Sequence, residues 1–312
     1  MEAILNPALL LFLSGILIGI TFKLTLPNSI SKYLGYYLLL SLGLKGGLSL
    51  QENGFINEVI SVLSLGVIFA LLIPAVAYFY LKNLLNTDDA AALSGTYGSV
   101  SAVTFVTAIA YLSTTSQDFD NYMSAVLVVM EFPAIFMALY LVTHNKNDNN
   151  NNLKTIKTAF LEIPNIILIS SLFVGYFVSK KTLSNLDYLI VTIFDYLLYI
   201  FLFFMGTRVA KRIGELKGRG VSLIAFALLM PLIGSFISLL ASIYFGLSIG
   251  NATLLMVLTA SASYIAVPAV VKDAIPDANP AIYLGLSLGV TFPFNIIVGI
   301  PLYNELAKYF IG

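Results

Sequence analysis

The chain has 312 residues, 59% of them hydrophobic and only 10% charged, and a mean hydropathy of +0.92; a soluble protein carries about 25% charged residues. That composition excludes an ordinary soluble domain and predicts a polytopic membrane protein. Sixteen Lys and Arg against sixteen Asp and Glu leave no net basic charge to hold a nucleic acid, and no Cys with a single His removes thiolate, iron–sulfur and most zinc or imidazole chemistry.

A hydrocarbon core of roughly 30 Å takes about 20 residues of helix to cross. The first apolar run, 7–22, ends at Lys23 rather than at a small-residue cleavage site, so it reads as a membrane helix and not a secretory signal. Further runs follow at 30–50, 57–81, 89–113 and 119–143. The asparagine-rich stretch 144–157 then reads as a solvated tether, and five more runs stand at 158–179, 187–209, 221–247, 250–272 and 279–308. The expected fold class is therefore all-α, with ten transmembrane helices and three parts: a first five-span unit over 1–143, a polar tether over 144–157 and a second five-span unit over 158–312. With the spans numbered in order, twelve bases fall on the side opposite the N-terminus and four, Lys45, Lys180, Lys181 and Lys308, fall with it. Because basic loops stay cytoplasmic, this places the tether inside and both termini outside. Arg208, Lys211, Arg212, Lys217 and Arg219 form the densest inner cluster, suited to topology, anionic lipid or a soluble partner.

The halves repeat each other in order and at a nearly fixed offset. Pro7 to Gly19 resembles Pro164 to Gly175; Gly43 and Lys45 correspond to Gly206 and Arg208; Gly98-Ser-Val-Ser-Ala102 corresponds to Ala260-Ser-Ala-Ser-Tyr264; Phe132-Pro133 corresponds to Phe292-Pro293. An odd number of spans per unit makes the second copy enter from the opposite face, giving two inverted five-helix repeats, as in many secondary transporters.

Spans four and nine each carry a run of small and hydroxyl residues at midspan, Ser94 to Ser101 and Thr259 to Ser263. A helix broken there exposes backbone N–H groups that lipid cannot solvate, and a new helix starting beyond the break aims free donors at a small anion. The alternative use of such runs is tight helix packing. Glu131 in span five and Asp195 in span seven are membrane acids, each able to hold a cation or proton or else to bond a neighbouring helix.

Around these residues the sequence resembles the SbtA-type sodium-dependent bicarbonate transporters of cyanobacteria and relatives. The most specific matches are Met205-Gly206 with Arg212-Ile-Gly-Glu-Leu216, and Ile275-Pro-Asp-Ala-Asn-Pro280 leading to Tyr283, Gly285, Ser287 and Pro293; Gly95 to Ser101 with Thr104, and Pro133, match more loosely. The resemblance implies broken helices in spans four and nine, a homotrimer, an elevator-like motion of a core domain against a gate domain, and a bacterial cytoplasmic membrane. It places bicarbonate nearest Gly98, Ser99, Ser101, Ser261 and Ser263, and sodium close by near Glu131 and Ser101, with Thr104, Glu131 and Tyr264 as coupling-ion residues. It also implies a PII-like cytoplasmic regulator docking on the inner basic loop and core surface. The chain departs from the pattern at Tyr264, where the family has an acid, and at Ala102, Val103 and Ala266, which removes oxygen ligands from the sodium pattern. The expectation is a non-enzymatic secondary transporter that takes up bicarbonate with sodium and needs no other cofactor. The rivals are the same fold carrying another small anion or carboxylate, proton-coupled, and an intramembrane hydrolase, which a chain without a membrane His equips poorly.

Overall fold

The computed structural model describes residues 7–22, 27–146, 163–178, 193–215, 220–264 and 266–312, whose regular structure is helix, with no strand among them. In chain order the helices are α1 (Pro7–Phe22), α2 (Asn28–Asn53), α3 (Asn57–Leu81), α4 (Thr87–Gly98), α5 (Ala102–Thr114) and α6 (Met123–Lys146). The second half supplies α7 (Ile163–Phe177), α8 (Ile193–Glu215), α9 (Val221–Phe245), α10 (Ile249–Ala260), α11 (Ala266–Ala274) and α12 (Pro280–Ile311). Among the described residues, five stretches are long and apolar enough to cross a membrane: α3, α4 with α5, α8 from Ile193 to Arg212, α9 and α12. Leu17, Phe22, Phe79, Phe236 and Tyr244 stand exposed on the outside of the bundle, as lipid-facing side chains must.

Each expected span holds helix, with shifted ends. Span five starts at Met123 rather than at 119, because the stretch from Gln117 to Tyr122 turns there and Asp120 gives its N–H to Asn251. The tether beyond Lys146, residues 179–192 with Lys180 and Lys181, and Lys217 and Arg219 lie outside the described residues.

α12 does not run as one regular ladder. It widens into π-turns at Ser287–Thr291 and Asn295–Gly299. Pro293 and Pro301 follow these turns, and each lacks the N–H that would bond the carbonyl four residues back, so the ladder opens where that donor is missing.

Glycines set the helix pairing. α1 crosses α8 with Gly15 against Phe203 and Gly206, so close that a methyl on either glycine would strike the other helix's backbone. α2 crosses α7 in the same way, Gly47 against Leu172 and Gly175. Without a hydrophobic force between helices in lipid, such contact gives packing its strength. The first helix of each half thus lies on the second helix of the other.

Candidate anion and cation site

Two of the helical stretches break where the small-residue runs stand. α4 ends at Gly98 and α5 begins at Ala102, leaving Ser99 to Ser101 extended; α10 ends at Ala260 and α11 begins at Ala266. Serine hydroxyls compete for backbone groups and so favour such ends over helix interiors. Gly98 fits because a side chain there would collide with Pro74 of α3.

The two breaks touch. The Ser101 N–H donates to Ser261 Oγ at 2.9 Å, and the Ser263 N–H donates to the Thr96 carbonyl at 2.8 Å. These bonds satisfy backbone and side-chain groups that membrane interiors leave without water. Ser261 has no hydrogen left to give, since its hydroxyl also donates to the Leu258 carbonyl at 2.9 Å.

Ser101 and Ser263 cap the two second half-helices. Ser101 Oγ accepts from the Thr104 N–H at 3.2 Å, and Ser263 Oγ accepts from the Val267 N–H at 3.2 Å. Ser101 Oγ also accepts from Thr104 Oγ1 at 2.9 Å. With both lone pairs taken, the Ser101 hydroxyl has only its hydrogen left to give. The N–H groups of Ala102 and Val103, in the first turn of α5, have no partner inside their own helix.

A cavity opens at this place. Its wall includes Ser101, Ala102 and Val103 from the first break, Ser263 and Tyr264 from the second, and Glu131 of α6. Glu131 is buried and faces the Ser99 hydroxyl, itself buried and without a hydrogen-bond partner. The Tyr264 hydroxyl, facing Ser101, is likewise buried and unpartnered. The cavity therefore presents donors suited to an anion beside a buried carboxyl group and hydroxyl oxygens, the chemistry of a hard cation. No cluster of three or more His, Cys, Asp or Glu exists among the described residues, so a cation there would depend on hydroxyl and carbonyl oxygens.

Of the expected site residues, Ser101, Ser263, Glu131 and Tyr264 line the cavity together. Ser99 and Thr104 stand directly behind it, through Glu131 and Ser101 respectively. Gly98 packs on Pro74, and Ser261 bridges the breaks. Asp195 lies in the first turn of α8 rather than at midspan; its side chain is exposed and within charge range of Lys45. Asn165, buried in the first turn of α7, lines the same cavity and escaped the sequence reading. Its only mark in the sequence is that it is a lone amide in an apolar run.

Among known families, the one described as the Na+-dependent bicarbonate transporter superfamily matches residues 7–308. No relative among the curated proteins matches the chain.

Proposed function

The chain belongs to the Na+-dependent bicarbonate transporter superfamily, and we propose that it takes up bicarbonate with sodium by holding both between the two helix breaks. It is a multi-pass membrane transporter and not an enzyme, which sets the hydrolase reading aside. The observation that carries the proposal is the meeting of two capped half-helix ends and a buried carboxylate at one cavity. Bicarbonate takes the Ser101 hydroxyl hydrogen and the Ala102 and Val103 N–H groups, with the helix ends stabilising its charge without Lys or Arg. Sodium takes Glu131 and the Ser99 hydroxyl oxygen, with Thr104 and Tyr264 adjoining. Pairing the two cancels their charge, which matters because moving one unit charge against 100 mV costs about 2.3 kcal/mol.

The motion we propose is an elevator-like slide of a core domain, built on the broken helices, against a gate of α1, α2, α7 and α8. The tight glycine crossings support the gate as one rigid body. An inverted duplication is supported by recurrence at a fixed spacing: Asn86 and Ser248, Asp89 and Asn251, and Ser101 and Ser263 are each 162 residues apart and each make the same kind of bond. The orientation follows the basic residues, with both termini outside a bacterial cytoplasmic membrane. A homotrimer, and a PII-like regulator on the inner basic end of α8, complete the reading on the strength of the family resemblance.

Uptake of radiolabelled bicarbonate into proteoliposomes tests the proposal. An inward sodium gradient is expected to drive accumulation that collapses when potassium replaces sodium. Accumulation under a proton gradient alone would reject sodium coupling, and none under any gradient by folded protein would reject bicarbonate.

A further inference from the structure

Ser101 and Ser263 occupy matching places in the two halves, and the central cavity touches both. The same correspondence gives that cavity a mate on the other side. At the fixed spacing Ala102 corresponds to Tyr264, and the residue before each Phe-Pro pair matches Glu131 with Thr291. Pro164 and Asn165, on the cavity wall, correspond to Pro7 and Ala8 of α1.

The mate side is filled with rings. At the place matching Ala102 stands the buried Tyr264 ring, which lines the same cavity and packs edge-on to Phe292 with centroids 5.2 Å apart. Phe292 packs edge-on to Phe12 of α1 at 5.3 Å. Near these rings lies a second, small pocket, walled by Ala8 and Leu9 of α1, Thr107 and Tyr111 of α5, and Ile296 and Ile300 of α12. Ala8 stands one helical turn from Phe12, and Ile296 stands four residues from Phe292, so the aromatic pair lies about one turn from the pocket's wall. The contacts thus run from the central cavity through Tyr264 and Phe292 to Phe12, one helical turn from the second pocket.

Resting on the transport reading above, we infer that this second pocket is the opposite port of the transport path and that Phe12, Phe292 and Tyr264 are its closed gate. A dry constriction of packed rings blocks a hydrated anion, because nothing in it replaces lost water. The rings sit on different elements: Phe12 rides on α1, clamped to α8, while Tyr264 lies in the second break and Phe292 on α12. A slide of one body past the other parts Phe12 from Phe292 and joins the port to the Ser101 and Ser263 caps.

The chain has no Cys, so one introduced thiol reports access without background. Val100→Cys puts it on the central cavity wall and Thr107→Cys in the port. Full-length protein, oriented in proteoliposomes, is treated with a membrane-impermeant charged maleimide from each face. Val100→Cys is expected to label from one face only, and Thr107→Cys from the other. Adding Phe12→Ala with Phe292→Ala is expected to raise labelling of Val100→Cys from the Thr107 face about tenfold. Should the alanine pair fail to give monodisperse protein, Phe12→Leu with Phe292→Leu, which shrinks the rings but keeps an apolar core, is expected to give a smaller rise in the same direction. Equal labelling of Val100→Cys from both faces before any ring is removed would overturn the gate. So would unchanged labelling in a well-folded ring variant whose Thr107→Cys still reacts. Because the readout is access, expected labelling without bicarbonate uptake would strike the cargo and leave the gate standing.

Discussion

Ser101 has two hydroxyl lone pairs, both occupied by Thr104, and one hydrogen left to give at the cavity wall, where the Tyr264 hydroxyl faces it. Ser261 has the opposite condition, with its hydrogen on Leu258 and a lone pair on Ser101. These two serines look alike in the repeat and yet should fail differently. Ser101→Ala is expected to raise the KM for bicarbonate at unchanged expression, by about tenfold or more, since a hydrogen bond to a charged group is worth about 1.5–3 kcal/mol. Ser261→Ala is expected to lower the thermal midpoint in detergent and to leave KM nearly unmoved. Glu131 makes the third case. Glu131→Gln keeps shape and removes the charge, so the response of uptake rate to sodium concentration is expected to flatten, whereas Glu131→Asp retains it at higher sodium.

At the scale of the helix, small residues do two separable jobs. In α1, α2, α7 and α8 glycines let backbones touch; in the two breaks serines end one helix and cap the next. Gly206→Leu drives a side chain into the backbone of α1 and is expected to cost about 1–3 kcal/mol, read as a lowered midpoint in thermal unfolding. The apolar runs were legible as helices because their length matches the membrane, and the breaks were legible because hydroxyl runs compete for backbone groups. The π-turns of α12 were not anticipated, although Pro293 and Pro301 are the residues that open them. Proline's effect on a ladder depends on what neighbouring helices offer the freed carbonyl, and no run of letters contains that.

Across the whole molecule the halves are tied by matching latches. Asp89 near the start of α4 accepts the N–H of Asn279 at 2.6 Å, and Asn251 near the start of α10 accepts the N–H of Asp120 at 2.9 Å. Each fastens the helix start of one half to the loop ahead of the last span of the other. Asp89→Ala and Asn251→Ala are both expected to lower thermal stability, each stranded group costing about 1–3 kcal/mol. The larger drop is expected for Asn251, whose amide also serves Asp120 Oδ2 at 2.7 Å and Tyr122 at 3.0 Å. The amino-acid order by itself determined the solvent, the helical class, the place of both interruptions and the family, because span length, hydroxyl runs and repeated spacing are local properties of the chain. Only the tertiary structure decided which serines face the cavity, that Asn165 joins them and that Tyr264 closes against Phe292, because those contacts join residues far apart in the chain. Periodicity places a residue on a face of its own helix; the partner across that face is set by packing.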